Sequence, residues 1–158
     1  MSEWKVDLWT NSDALRNSKR TKTTGIMVHS TATPGVMAQQ FRDRWNKPGL
    51  GKSVHFFVDD KEAIQCMPLE LKAGHCGRGT SGQTANDTHL SFEMCEPKNW
   101  QTDADYFQKV YQNAVNLTAE LCREYGLTEK GVLSHAEGYK AGIASNHADV
   151  GHWFPFFD

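Results

Sequence analysis

Apolar residues change their period along this chain, and the changes mark out its elements. Thr24 to His29 (T-G-I-M-V-H) is a short apolar run after a polar segment and reads as a buried strand ending in a histidine. Thr33-Pro34-Gly35 breaks it. Met37, Phe41 and Trp45 then recur every four residues, one face of a helix that Asn46 to Gly51, with Pro48 and its glycines, closes. Val54 to Val58 (V-H-F-F-V) is β-branched and aromatic, Asp59 to Glu62 is a turn, and Ala63 to Met67 reads as the return strand of a hairpin. From Glu70 to Thr88 the chain is rich in Gly, Ser, Thr and Asn, a loop long enough to carry function.

His89 to Cys95 alternates, with Leu90, Phe92 and Met94 set against Ser91, Glu93 and Cys95, and predicts a further strand. Thr102 with Asp105 reads as the cap of a long helix. Its core face is Phe107, Val110, Ala114, Leu117 and Leu121, and it ends near Gly126. Gly131 to Ser134 is a last short strand, and the tail from Glu137 reads as irregular until His152-Trp153-Phe154. Strands separated by helices, with one hairpin, predict an α/β fold: a central mixed β-sheet flanked by helices. The helix between Pro34 and Asn46 has the length of a crossover, which predicts that the first two strands run parallel.

A length of 158 residues predicts one domain, residues 1–158, with its core over about 24–157. Folding at this size buries roughly 68–70% of the unfolded surface, enough for one core. The formal net charge of −2, with acids and bases interspersed, leaves no electrostatic footprint for nucleic acid. No stretch approaches the ~20 apolar residues of a membrane span, and the N-terminus has no apolar leader. The protein is therefore expected to be made in the cytoplasm, to insert in no membrane, to be a monomer, and to reach any target outside the cell only after release. Cys66, Cys76, Cys95 and Cys122 are irregularly spaced with no C-x-x-C pair, and are expected to be reduced.

Of the seven histidines, two are placed where chemistry could use them. His29 ends a buried strand, and His135 follows the short strand Val132-Leu133 in the same manner. Asp149 lies further on, in the tail Ser145-Asn146-His147-Ala148-Asp149. Two imidazoles and a carboxylate make a three-ligand set that leaves a fourth zinc position open. Spacing alone does not separate this from histidines that merely end strands, nor Asp149 from His147 as third ligand. Glu93, between Phe92 and Met94, is either a carboxylate of raised pKa fit for proton transfer or an exposed edge glutamate. Glu137 could orient His135 or simply face solvent.

His29-Ser30-Thr31-Ala32 resembles the "H-[HNS]-T-A" signature of the zinc amidases related to phage T7 lysozyme and to peptidoglycan-recognition proteins. Val54 to Asp59 resembles their second strand, His75-Cys76-Gly77 their "H-x-G" loop, and Leu90 to Met94 their glutamate-bearing strand. Ser134 to Glu137 and Ser145 to Asp149 are similar to their second-histidine and third-ligand motifs, in the variant common in endolysins of Gram-positive phages. These motifs occur in order over nearly the whole chain.

The resemblance implies an N-acetylmuramoyl-L-alanine amidase acting on bacterial peptidoglycan as a phage endolysin, with one catalytic Zn²⁺. It implies that His29, His135 and Asp149 ligate the metal, that Glu93 shuttles protons and that His147 faces the oxyanion. His147 stands where relatives often carry lysine, and Val54 where some carry tyrosine. His55 and His75 are assigned to lining the substrate cleft or holding the sheet, and His89 and His152 to structure. Rival readings are a non-catalytic peptidoglycan-binding module, an amidase of muropeptide recycling, and a cysteine peptidase using Cys76 or Cys95.

Overall fold

The computed structural model describes residues 4–99, 102–151 and 153. Six strands form one sheet: β1 (Lys5–Val6), β2 (Gly25–Ser30), β3 (Phe56–Val58), β4 (Ala63–Gln65), β5 (His89–Met94) and β6 (Val132–Ser134). Their spatial order is β1-β4-β3-β5-β2-β6. The β3–β4 hairpin is antiparallel and every other pairing is parallel. Helices α1 (Ala38–Arg44), α2 (Ala104–Tyr125) and α3 (His135–Lys140) flank it. This is the mixed, helix-covered sheet that the strand–helix alternation predicts.

The pleat divides each strand between two layers. Ile26, Phe56, Val58, Leu90, Phe92 and Met94 face α2, packing on Phe107, Val110, Leu117 and Leu121. Phe57 and Ile64 face the other way, onto Ala38 and Phe41 of α1. At 0% exposure, Leu90, Phe56 and Leu121 each contribute about 1.5–3 kcal/mol of burial, an upper range for an extended-chain reference. Asp59 ties the hairpin to α1. One carboxylate oxygen accepts from Lys61 and Glu62 N–H, at 2.8 and 3.0 Å, and the other from Ala38 N–H at 3.0 Å.

Several elements differ from the sequence reading. β2 and β3 run in the same direction but are not neighbours, because β5 lies between them and pairs with both. The cap of α2 is Asp103, whose carboxylate accepts from Tyr106 N–H at 3.1 Å, rather than Thr102. Gly126 closes the helix in the left-handed region at φ 65°, as its position predicts. The tail is not irregular from Glu137. α3 begins at His135 through a capping box, Glu137 N–H to Ser134 Oγ at 3.2 Å and Ser134 N–H to Glu137 Oε2 at 2.7 Å. Glu137 thus builds the turn that carries His135. His152, expected to be structural, lies outside the described residues.

His89 is 6% exposed and its ring fills the space over Gly25, where a Cβ would lie 2.6 Å from Nε2 and 2.3 Å from Gly131 O. Only glycine lets β2 pass between β5 and β6 at that point. No helix among the described residues is long and apolar enough to cross a membrane. All four cysteines are free.

Candidate functional site

The site forms beyond the carboxyl ends of three parallel strands, where open α/β sheets bind ligands. His29 is the fifth residue of β2 and pairs in register with Glu93 of β5, so both side chains rise from the same sheet face. β6 flanks β2 on its other side, and His135 follows it as the first residue of α3. Asp149 arrives from the segment after α3.

His29 Nδ1 lies 3.1 Å from Asp149 Oδ2, and His135 Nδ1 lies 3.2 Å from Asp149 Oδ1. One ligand atom from each of these residues falls within 4.8 Å of the others. Tetrahedral zinc with bonds of 2.0–2.1 Å has ligand–ligand edges of roughly 3.3 Å, so these separations fit such an ion. Asp149 Oδ1 is buried and makes no geometrically good hydrogen bond to any described residue, although it sits among imidazole nitrogens. A cation bridging those atoms would satisfy it.

Charge states agree with that fit. Burial lowers the pKa of His29, favouring the neutral ring that a metal requires. Burial would raise Asp149, but the neighbouring His135 and His29 outweigh it and hold the carboxylate far below its ordinary range. Glu93 is the opposite case. Burial and the nearby Asp149 charge push it well above the carboxylate range against the pull of Lys52, and its Oε2 is buried with no hydrogen-bond partner among the described residues. A carboxyl whose neutral form is favoured in this way is suited to holding and returning a proton.

His147 lies at the mouth, its side chain 63% exposed, stacked on His135 with centroids 5.2 Å apart and Nδ1 3.1 Å from Asp149 Oδ1. His75 is half-buried beside His29, with Nδ1 2.9 Å from His29 Nε2. His55 does not reach the cleft: of the two roles open to it, lining the cleft or holding the sheet, its contacts are those of the second. It is 0% exposed, takes Ser91 N–H on Nδ1 at 3.1 Å and donates from Nε2 to Leu71 O at 2.8 Å. Burial lowers its pKa to about 3, so it stays neutral and holds β3 and the 70–72 loop to β5.

Three neighbours of the site are not singled out by the sequence reading. Ser145 Oγ lies 3.3 Å from His135 Nε2 and donates to Cys76 O at 2.9 Å, so its lone pairs are free for the outer N–H of His135. Asn86 anchors the loop bearing His75. Lys52 sits 4.8 Å over the Trp45 ring, close enough to Glu93 to act on its charge. Single polar residues in a loop carry no period, so only the folded geometry identifies them. The cysteines are poor nucleophiles: Cys76 and Cys95 are 2% and 0% exposed, and burial pushes both thiols up, away from the thiolate.

Comparison with known proteins bears on this geometry. CwlL of Bacillus licheniformis, an N-acetylmuramoyl-L-alanine amidase, is 35% identical over 122 residues, which cover 70% of this chain and 33% of that protein. CwlH of Bacillus subtilis, named for the same activity, is 30% identical over 135 residues, covering 84% of this chain and 51% of that protein. The chain thus spans a third to a half of the length of these curated relatives. A mutant endolysin from Bacillus subtilis superposes with a TM-score of 0.73 at 25% identity, covering 97% of this chain and 96% of that one. The structure of PlyL gives 0.69 at 27% identity, covering 86% and 82%. The family model for N-acetylmuramoyl-L-alanine amidase matches residues 19–152, the span that carries all of β2 to α3 and every residue of the cluster, and the chain belongs to that family, on its endolysin-like side.

Proposed function

We propose that this protein is a zinc-dependent N-acetylmuramoyl-L-alanine amidase that cleaves bacterial peptidoglycan between the lactyl group of N-acetylmuramic acid and the L-alanine of the stem peptide. Residues 1–158 are its catalytic domain, and lysis by a phage endolysin is the setting. The observation that carries this reading is the convergence of His29, His135 and Asp149 beside a buried carboxyl, Glu93, in a chain of the amidase family.

His29, His135 and Asp149 hold the metal. A zinc ion bound there supplies Lewis-acid polarisation of the scissile carbonyl and acidifies water. A cation held by the neighbouring ligands would favour the ionised form of Glu93, which then removes a proton from the attacking water. Because its carboxyl is held above the ordinary range, it keeps that proton long enough to return it to the leaving alanine nitrogen, an exchange worth ~10²–10⁴ in rate. His147 donates a hydrogen bond to the oxyanion as the carbonyl becomes tetrahedral, and its exposed ring at the mouth supports that role. The buried His29 and His135 keep the back of the site dry and their rings fixed.

Metal analysis tests this reading. Purified protein should hold about one zinc, lose wall-lytic activity in a strong chelator and regain it with Zn²⁺. Full activity without metal, or inhibition by a thiol alkylating agent instead, would overturn it.

A further inference from the structure

His29 has two ring nitrogens and, as a neutral imidazole, one proton. Nδ1 faces Asp149 Oδ2 at 3.1 Å, and Nε2 faces His75 Nδ1 at 2.9 Å. If the proton sits on Nδ1, the ring donates to Asp149 and has no lone pair to offer on that side. If it sits on Nε2, Nδ1 is free to ligate. The choice depends on what stands opposite Nε2.

We propose that His75 is a positioning residue: its Nδ1 accepts a hydrogen bond from His29 Nε2–H and so fixes His29 in the tautomer that presents Nδ1 to the metal. The inference rests on the reading of His29 as a ligand. To accept, His75 must carry its own proton on Nε2, a buried nitrogen with no hydrogen-bond partner among the described residues, so the gain at the metal ligand is set against one unpaired N–H. The rings meet edge-on, at 75° with centroids 5.1 Å apart, which suits an N–H of one directed at the lone pair of the other.

The backbone around His75 is held as this role requires. His75 N–H and Cys76 N–H both donate to Asn86 Oδ1, at 2.9 and 3.1 Å. Cys76 O accepts from Ser145 N–H at 2.8 Å and from Ser145 Oγ at 2.9 Å. That same hydroxyl oxygen stands 3.3 Å from His135 Nε2. One two-residue stretch, His75-Cys76, therefore serves the outer nitrogen of both imidazoles: directly at His29, and through Ser145 at His135. Both rings then present Nδ1 inward, toward the two oxygens of Asp149. Partners of this kind hold the ring orientation and raise ligand basicity, and losing one typically costs 10–100-fold in metal affinity.

The test compares the wild-type chain of residues 1–158 with His75→Leu and His75→Asn, measuring zinc affinity by competition with a chromogenic chelator and the visible spectrum of the Co²⁺-loaded proteins. His75→Leu keeps bulk but offers no acceptor, and should bind zinc 10–100-fold more weakly with an altered cobalt spectrum. His75→Asn puts an amide oxygen near the position of Nδ1, and should recover most of the affinity and the wild-type spectrum. Long-range ¹H–¹⁵N correlation on the zinc-loaded wild type reads the tautomers without mutation, and should find His29 and His75 each protonated at Nε2 alone. Wild-type affinity and spectrum in His75→Leu, or a proton on His75 Nδ1, overturns the role while leaving the metal site standing. A wild type that binds no zinc overturns the metal site itself, and this role with it.

Discussion

On the α2 side of β5, Leu90, Phe92 and Met94, themselves 0–4% exposed, pack into an apolar layer. On the other side of the same strand Ser91 pairs with His55, and Glu93 buries a carboxylate oxygen that no described residue satisfies. Alternate residues of one strand thus face opposite requirements. The apolar side gains free energy from burial, whereas the polar side retains atoms whose desolvation is uncompensated. Polar groups left in that condition concentrate at functional sites, where a perturbed carboxyl is worth more to chemistry than to stability. Substitutions on the two sides should therefore separate stability from turnover.

The largest effect is expected from the ligands. His29→Ala or His135→Ala should lose the metal and reduce lysis to background, with the fold retained by circular dichroism. Asp149→Ala should also lose zinc, since two imidazoles alone hold the ion poorly. A metal-free His147→Ala beside a zinc-loaded Asp149→Ala would exchange the roles of those residues.

Glu93→Gln comes next. It should keep zinc and lose ~10²–10⁴ in turnover. Its stability should move the other way. The folded pKa of Glu93 lies above its unfolded value of ~4.3 because burial penalises the charge, so its contribution is most favourable below that value and is lost as pH rises through the folded pKa. The metal-free variant should therefore melt higher than metal-free wild type by a margin that widens between pH 5 and pH 8. A margin that is constant or shrinks would show that Glu93 is not held protonated by burial. His147→Ala should follow, keeping zinc and losing roughly 10²–10³ in rate. His147→Lys should recover part of that loss, because an ammonium can also donate a hydrogen bond to the oxyanion.

The apolar side should behave in reverse. Leu121→Ala leaves a cavity under α2, 0% exposed in the wild type, and should cost about 2–5 kcal/mol in denaturant unfolding with turnover per folded molecule unchanged. Smaller still, Asp103→Ala removes the α2 cap and should cost about 0.5–2 kcal/mol. A core substitution that changed turnover without changing stability would break the division between the two sides.

The parts of this molecule legible in the sequence are those with a sustained period. α2 shows its stripe from Phe107 to Leu121, and β5 its alternation. β1 is two exposed residues and has no period to read. α3 buries only His135 and Gly138, so it lacks an apolar stripe, and the Ser134-x-x-Glu137 cap is its single local signal. Strand order is not local either: nothing in the hydrophobic pattern says that β5 enters between β2 and β3. For the same reason spacing could not join His29 to His135, which meet because β2 and β6 are neighbours, and family resemblance supplied that link. Resemblance could not say which histidines face the cleft. His55 and His75 sit in equally suggestive motifs, yet one is sealed inside the sheet and the other touches His29.

The bond cut tests the central claim most directly. Purified peptidoglycan digested with the zinc-loaded protein should release new N-terminal alanine in step with loss of turbidity, with no rise in reducing sugar, because an amidase leaves the glycan strands whole. Reducing ends appearing without free alanine would mean a glycosidase, and would contradict the account at its root.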